Sequence, residues 1–493
     1  MSISFNSISS SLRVPFVGVE FDSSRAQQGP AILAYNAVLI GQKLASGTGT
    51  ANTLVRVTSV DQVITLAGRG SMLHRQALAW FAANKSTALW VGILADDGAG
   101  VAATGTIVVS GPATATGTIA LYLGGERITV AVTSGDASTA IATAIGAAIN
   151  AALDLPVTAG VVSSTVTVTF RHKGLVGNTY NMRASYRDGE ALPAGVGLAF
   201  TTLGGVVAGT TAPALTTLIA AMADLWFHIW SHPYTDATNL GAIETELATR
   251  NGPMRSQDGV AITSVSGSFG THTTLGGARN SPHSVVIAQP GATPLTPPME
   301  FAAEAAAIVA LYGAADPARP FQTLAFNRAL PPAETDLFSS DERNLFLFDG
   351  IATTKRAAGG VVQLERVITT YQTSPAGADD TAYLDATTLL TLMYLRYSFR
   401  VRFQTKYPRH KLANDGTKFG SGQAVITPKL GKAEAITWFR EMEELGLVEN
   451  FDAFKRDLVC VRPTTDPNRL DFLLPPDLIN GLVVTAAQIQ FRL

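Results

Sequence analysis

The sequence predicts a multidomain α/β and α+β protein: an α/β body with an inserted small β-rich α+β domain, then a C-terminal α+β domain. Strand and helix patterns alternate over residues 28–96 and again over 201–360, which is typical of an α/β body. Between residues 97 and 200 the composition changes to Ala, Thr, Val and Gly. With 493 residues, 46% of them hydrophobic, the chain is long enough for about three domains.

The two halves of the predicted body contain their own start and stop signals. In the first half, residues 88–94 are apolar on both faces, as in a strand buried in a parallel sheet. In the second half, residues 226–230 predict a strand, and Pro297 and Pro298 open an Ala-rich helix, where a missing N–H costs least. We therefore place the body at residues 28–96 and 201–360.

The predicted insertion, residues 97–200, is poor in charge. Residues 101–170 contain only four charged side chains, Glu126, Arg127, Asp136 and Asp154. Gly124 and Gly125 separate two strand patterns, which indicates a hairpin. Such a β-rich module flanked by α/β patterns predicts an inserted domain.

The C-terminal domain, residues 361–482, carries a dense and mixed charge. The 133 residues from Val361 onward hold 16 Lys or Arg and 15 Asp or Glu, which is 31 of the 74 charged side chains in the chain. Asp385 is a candidate N-cap of a long helix, whose Leu389, Leu390, Met393 and Tyr397 form an apolar stripe. A second helix is predicted over residues 432–445, ending at Gly446.

Both ends of the chain predict extended arms. In the N-terminal arm, residues 1–27, Val17, Val19 and Phe21 share one face, and Pro15 favours an edge strand or an extended segment. In the C-terminal arm, residues 483–493, one face consists of Val483, Thr485, Ala487, Ile489, Phe491 and Leu493. The pattern leaves two interpretations open, since each arm can pair within its own domain or with another chain.

Composition and motifs argue against several classes of function. A net charge of −2 and a pI near 6.4 provide no basic field for nucleic acid or an anionic membrane. One cysteine, Cys460, excludes an intramolecular disulfide, and its apolar neighbours predict a buried small side chain. No secretory signal, membrane-spanning run, phosphate-binding loop, nucleophile elbow or metal motif is recognised, so we expect no catalytic residue, cofactor or metal.

Other polar groupings have simpler explanations. His228 and His232 lie on a predicted strand, where a spacing of four does not bring two rings together. Ser71 with His74 lacks the strained turn of a nucleophile, and the Asp379–Asp380 pair is expected in a solvated loop.

The C-terminal third resembles the contractile tail sheath proteins of the Mu-like myophages. The segments that carry the resemblance are residues 364–372, 384–412, 414–417, 451–458 and 466–476. The similarity extends over almost the whole chain and depends on many positions instead of one motif.

The resemblance implies a structural virion protein and no enzyme. Sheath subunits of this family stack as six-fold rings around the tail tube, and the sleeve contracts to drive the tube through the host envelope. In contractile sheaths the terminal extensions add strands to a small sheet in neighbouring subunits, which favours exchange of the two arms. The implied partners are further copies of the chain, the tail tube, and baseplate and tail terminator proteins, in a virion tail assembled in the host cytoplasm.

The resemblance also leads to expectations about orientation. The insertion is expected to face outward and the charged C-terminal domain to lie near the tube. Lys429, Lys432 and Arg440 are the candidate tube-facing residues. Two other interpretations remain at this point, an α/β hydrolase-like enzyme with an unrecognised site and another virion component such as a baseplate or capsid protein.

Overall fold

The computed structural model describes residues 14–15 and 32–492, and the chain divides into two compact units. The larger unit comprises Ala34–Arg396, Leu445–Asn450 and Pro476–Leu493. The smaller unit comprises Tyr397–Glu444 and Phe451–Pro475 with the N-terminal residues up to Leu33. Val17, Val19 and Phe21 of the predicted N-terminal arm, and Leu493 of the C-terminal arm, lie outside the described residues.

The first part of the body starts the main sheet of the larger unit. Its elements are β1 (Asn36–Gln42), β2 (Thr53–Val57), α1 (Val60–Ala67), α2 (Met72–Ala83) and β3 (Ala88–Leu94). The side chains of Ser59 and Ser71 cap the two helices by accepting hydrogen bonds from the amides of Gln62 and His74. β1 and β3 are parallel and almost fully buried, because helices cover both faces of the sheet.

The insertion is a sandwich of two antiparallel sheets with one helix. Its elements are β4 (Ala102–Ser110), β5 (Gly117–Leu123), β6 (Glu126–Val132), α3 (Ser138–Ala151), β7 (Val157–Val162), β8 (Thr165–Lys173), β9 (Met182–Ala184) and β10 (Gly197–Thr201). One sheet has the order β10-β4-β8-β7 and the other β6-β5-β9. Gly124 and Gly125, both at positive φ, form the predicted turn between β5 and β6.

The second part of the body completes an eight-stranded sheet. Its elements are α4 (Thr216–Met222), β11 (Ile229–Ser231), α5 (Ala237–Asn251), β12 (Val260–Gly267), α6 (Phe269–Gly277), β13 (Ser284–Pro290), α7 (Pro298–Ala315), α8 (Ser340–Phe348), β14 (Ile351–Arg356) and β15 (Val362–Arg366). The strand order is β15-β14-β13-β12-β11-β1-β3-β2, parallel except at β2 and β15. Pro298 begins α7, as the sequence predicted.

The predicted strand over residues 226–230 was placed too early. β11 begins at Ile229, where the register pairs it with Ala37 of β1. His228 instead donates its amide proton to Asn36 O and accepts one from Asn36 N on its Nδ1. Its ring stacks between Tyr35 and Trp226, so the apolar pattern here reflects ring packing ahead of the strand.

The insertion and the body share a core and a buried ion cluster within the larger unit. Met72 of α2 and Met299 of α7 pack with the interior side chains of the sandwich. Arg75, which is fully buried, binds Glu300 of α7 through its Nε and Nη2 at 2.8 and 2.9 Å. The same Nη2 lies 2.8 Å from Glu126, the first residue of β6 after the β5–β6 turn. The turn of the hairpin is therefore fixed to two helices of the body.

The C-terminal third contains three helices and several short strand pairs. Its elements are α9 (Ala386–Lys406), β16 (Lys411–Leu412), β17 (Val425–Ile426), α10 (Pro428–Glu444), β18 (Val448–Glu449), α11 (Phe451–Asp457), β19 (Val459–Val461), β20 (Asp471–Leu473) and β21 (Asp477–Leu478). Leu389, Leu390 and Met393 are buried as the predicted stripe requires. Asp385 precedes α9, and its carboxylate pairs with Arg366 of β15.

The predicted closing strand of the C-terminal arm does not form within this chain. Residues 483–492 belong to no strand and are exposed along their length. The pattern satisfies the requirement for one apolar face, but a strand also needs a partner edge, and no described edge of this chain lies beside it.

Candidate assembly surface

The groups that could suggest an enzyme have structural roles. The Ser71 hydroxyl accepts a hydrogen bond from the His74 amide as the cap of α2. Asp380 accepts a hydrogen bond from the Tyr371 hydroxyl at 2.6 Å. Among the described residues, no group of three or more His, Cys, Asp or Glu side chains is arranged to hold a metal ion. The Ser71 hydroxyl and the Asp380 carboxylate are therefore accounted for by contacts within the fold.

In the part of the chain that the structure describes, no helix combines the length and the apolarity that a membrane span requires.

The ribbon of β19 and β20, which we call the C-terminal ribbon, lies in the smaller unit. Val459 pairs with Leu473, Cys460 with Phe472, and Val461 with Asp471 in antiparallel register. Among the described residues these two strands pair only with each other, so no other described strand covers either outer edge. An isolated two-stranded ribbon with open edges is a template for another strand.

The two faces of the C-terminal ribbon differ. On the outer face, Val459, Val461 and Leu473 are 43%, 46% and 61% exposed. On the inner face, the Phe472 ring contacts Phe399 and Phe403 of α9 with centroids 5.4 and 5.1 Å apart. One apolar face is thus packed while the other remains open to solvent.

The support beneath the ribbon is tightly packed. A Cβ atom at Gly431 of α10 would lie 2.9 Å from Cys460 Sγ and 3.1 Å from the Phe472 ring, so glycine allows the helix to approach. The Trp438 indole of α10 donates to the Ser398 hydroxyl at 2.9 Å. Cys460 is half-buried, less than the sequence predicted, and burial raises the pKa of its thiol to about 11.

The C-terminal arm is the second part of the candidate surface. Ile489 and Phe491 are 89% and 80% exposed, although their spacing places them on one apolar face of an extended chain. Gln488 and Gln490 alternate with them. Large apolar side chains exposed in this regular pattern indicate a surface that is covered in an assembly.

The residues that precede the arm are held by specific contacts within the larger unit. Leu478 of β21 pairs with Val448 of β18, and the Asn450 side chain donates to Asp477 at 2.6 Å. Further along, Gln322 donates to Leu482 O at 3.1 Å. A Cβ atom at Gly481 would lie 2.6 Å from the Pro320 ring, so the chain crosses this proline closely. Residues 483–492, which follow this point, are exposed and belong to no strand.

The three candidate tube-facing residues share the outer face of α10. At about 100° per residue, Lys429, Lys432 and Arg440 fall within roughly 80° of one another. Lys429 and Arg440 are exposed and Lys432 is half-buried. Arg440 also stacks on the Phe451 ring, 3.3 Å from its centroid, and pairs with Glu443. The sequence therefore identified a common face, but one of its cations also has a structural contact.

The sequence did not predict the C-terminal ribbon, which is a candidate acceptor of an added strand. The only local signal is the alternation of Val459, Cys460 and Val461, which is too short to separate a strand from a buried loop. Among the described residues, the ribbon and the exposed arm together are typical of a protein that assembles through added strands.

Comparison with known proteins identifies the family. Models of three tail sheath domains match: the phage tail sheath protein beta-sandwich domain over residues 98–197, the central domain over 208–370 and the phage tail sheath C-terminal domain over 378–492. The Mu-like prophage FluMu tail sheath protein of Haemophilus influenzae is 38% identical over 493 residues, covering 100% of both chains. The chain belongs to the phage tail sheath protein family, and within it to the Mu-like tail sheath proteins.

Solved structures also resemble the chain. A sheath tail protein from Desulfitobacterium hafniense has 14% identity and a TM-score of 0.48, with 94% of this chain and 100% of that one covered. The sheath of an extracellular contractile injection system in its contracted state has 9% identity and a TM-score of 0.49, with 98% of each chain covered.

The family fixes the class of function. The protein is a structural tail sheath component of a contractile, phage-like system, and its relatives are structural proteins and not enzymes. The hydrolase interpretation is therefore wrong.

Proposed function

We propose that copies of this chain stack as six-fold rings into a helical sleeve around a tail tube, and that the sleeve contracts to drive the tube through the host cell envelope. The observation that supports assembly is that, in the described part of the chain, no third strand pairs with the C-terminal ribbon and no strand pairs with residues 483–492 of the arm. The ribbon can accept a further strand and the arm can provide one, and a second copy of the chain brings the two together.

The pattern of the arm suits addition to the edge of the C-terminal ribbon of a neighbouring copy. On the inner side of that ribbon, Ile489 and Phe491 would extend the aromatic layer that Phe472 forms with α9. Gln488 and Gln490 would then remain in solvent. The N-terminal arm, with Val17, Val19 and Phe21, is proposed to add a further strand in the same way.

Strand addition is weak for one arm and strong in a lattice. A strand of roughly six residues forms about four to six backbone hydrogen bonds, each contributing about 0.5 to 1.5 kcal/mol net. One arm therefore contributes a few kcal/mol, and many arms in a lattice gain strength by avidity. Because donor and acceptor are different surfaces, the contact is heterologous, and such a contact propagates into a helical tube when its rotation does not close a ring.

The remaining parts of the proposal follow from this arrangement. The sleeve contains only copies of this chain, contacts the tube, baseplate and tail terminator proteins, and is assembled in the host cytoplasm. The insertion faces outward, and contraction repacks rigid domains while the arms keep the copies connected. No nucleotide, metal or nucleic acid takes part in the proposed cycle.

The test is deletion of residues 483–493 with electron microscopy of the purified protein, alone and with its tube. We expect the full chain to form striated hollow tubes and the truncated chain to fold normally but remain unassembled. A truncated chain that unfolds shows that the arm belongs to its own domain, and a truncated chain that polymerises normally refutes arm exchange.

A matched pair of substitutions tests whether assembly depends on the apolar face of the arm and not only on the presence of the arm. Ile489→Asp places a charge on the apolar face, whereas Gln490→Asp places the same charge on the polar face one residue later. We expect only the first variant to lose assembly, measured by sedimentation. Equal loss in both variants contradicts burial of one face.

A further inference from the structure

An exposed aromatic ring, Phe348, ends α8, and the surrounding segment of the chain is rich in carboxylates. Phe348 is 74% exposed and Leu345, one turn earlier, is 50% exposed. The surrounding segment 334–349 contains five acidic residues and one arginine, and Asp336 and Asp341 are exposed on it. Asp341, Leu345 and Phe348 share one face of α8 at about 100° per residue, and together with Asp336, which precedes the helix, we call them the α8 surface.

The α8 surface is held in a fixed pose by the groups on its other side. Ser339 and Glu342 form a reciprocal capping box at the start of the helix. Arg343 donates to Glu365 of β15 at 2.8 Å and to Phe338 O at 2.6 Å. Phe346 is fully buried and stacks on Phe269 at 5.1 Å. The outward residues therefore lose little freedom when a partner binds.

These features match the centre of a protein interface. Leu345 and Phe348 are three residues apart on a helix, so their side chains are neighbours on one face. Large aromatic side chains at interface centres contribute most of the binding free energy, and surrounding polar groups exclude water and select the partner. The exposed carboxylates of segment 334–349 favour a partner of positive charge.

We propose that the α8 surface binds a second copy of this chain through the segment 409–419. That segment contributes Arg409, Lys411 and Lys418 against one acidic residue, Asp415, and ends at Phe419, which is 45% exposed. We call these three cations with Phe419 the basic segment. Positive charge and an exposed ring here complement negative charge and an exposed ring on α8.

The cations of the basic segment are available for such a contact. Ion pairs among the described residues of the smaller unit use Arg402, Lys406, Arg440, Arg456 and Arg469. Lys411 donates to the neutral Gln423 side chain at 2.8 Å. The two surfaces that meet are different, so the contact is heterologous. Such a contact suits the head-to-tail lattice of the proposed sheath, and the inference rests on that proposed function.

The experiment uses charge reversal with rescue in full-length chains. The first variant is Asp336→Lys with Asp341→Lys, and the second is Arg409→Glu with Lys418→Glu. Asp188→Lys with Asp224→Lys is the control, because both aspartates are exposed and the net charge change equals that of the first variant. The readout is the protein concentration at which half of the chain sediments as polymer, with thermal unfolding as the check on folding.

We expect each reversal to raise this concentration at least tenfold and the control to leave it unchanged. An equimolar mixture of the two reversed chains should recover most of the loss, because each then meets its complement. Phe348→Ser should impair assembly more than Met254→Ser at another highly exposed side chain.

Several results would overturn the inference. The α8 reversal could polymerise like the wild type, or the mixture could remain as defective as its components. Loss of binding to the tube alone, with normal polymers, would assign the basic segment to the tube. If the wild type polymerises and the charge-reversed chains polymerise equally well, only the α8 surface is refuted. If the wild-type chain itself never polymerises, the proposed function is refuted as well.

Discussion

The imidazole of His172 lies 2.9 Å from the carboxylate of Asp96 and joins the insertion to the body. Nδ1 contacts Asp96 Oδ1, and Nε2 accepts a hydrogen bond from the Met72 amide at the start of α2. Because Nε2 is an acceptor, the proton is on Nδ1 and the ring is neutral. Asp96 also accepts hydrogen bonds from Lys173 N and the Gln42 side chain.

Replacing Asp96 with Asn should weaken the junction between insertion and body. The amide can still accept on Oδ1, but its NH₂ group would face the Lys173 amide, which is also a donor. We expect a loss of about 1 to 3 kcal/mol in the free energy of unfolding, measured in urea, and faster amide exchange along β8. Asp97→Asn is the control, since that carboxylate accepts only from Ala99 at an exposed position. Equal effects of both variants would contradict a special role for Asp96.

The same carboxylate predicts a pH dependence. Burial acts to raise the pKa of Asp96, but hydrogen bonds from His172, Lys173 and Gln42 outweigh it and lower the pKa below its usual 3.8. A carboxylate with a lowered pKa contributes stability above the unfolded value, and that contribution is lost as the pH falls through the folded value. The stability difference between wild type and Asp96→Asn should therefore shrink below about pH 3.8. A difference that stays constant down to about pH 3 would refute the assignment.

Local signals in the sequence identified most long elements, because these depend on nearby residues. The Gly124–Gly125 turn, Pro298 at the start of α7 and the apolar stripe of α9 are examples. The edge strands β7 and β10 were not predicted, since their pairing depends on residues distant in the chain. Strands of two or three residues, such as β18 and β21, carry too few positions for a periodic pattern.

Of the two parts of the candidate assembly surface, only the C-terminal arm was predicted from the sequence. The alternation of Ile489 and Phe491 identifies an apolar strand face, and the structure leaves that face exposed. The acceptor was not predicted, because Val459 and Leu473 lie far apart in sequence and only their pairing creates the ribbon. Sequence periodicity reveals which face is apolar, but tertiary pairing decides which edges stay open.

Gly431 should be intolerant of a methyl group. A Cβ atom there would lie 2.9 Å from Cys460 Sγ, so Gly431→Ala should push α10 away from the C-terminal ribbon and cost about 1 to 3 kcal/mol. Cys460→Ala removes the sulfur, and the double variant should recover part of the stability and of polymer formation. Chemical unfolding and sedimentation measure the two effects.

The control for this pair is Gly420→Ala, where an added Cβ meets nothing within 4 Å. It should change neither stability nor assembly by a comparable amount. If the double variant is no better than Gly431→Ala alone, contact with the sulfur is not the cause.

The last prediction concerns the outer face of α10 and the tail tube. Arg402 of α9 binds Glu434 and Glu441, which directs these two acidic groups of α10 away from its outer face. Lys429, Lys432 and Arg440 remain on that face, although Glu443 pairs with Arg440. A tube with negative surface charge would be attracted to this face, and cations at a contact rim act mainly on partner choice and association rate.

Reversing the three charges to Glu should therefore reduce co-sedimentation of sheath with tube while leaving sheath polymers intact. Arg440→Glu also removes the stacking on Phe451, so it should be measured alone to separate lost stability from lost tube binding. Reversal of Arg56, Lys85 and Arg187, all exposed elsewhere, is the matched control. Lower salt should increase wild-type tube binding and have little effect on the triple variant, because screening acts on the removed attraction. Normal tube binding by the triple variant would exclude this face as the tube contact.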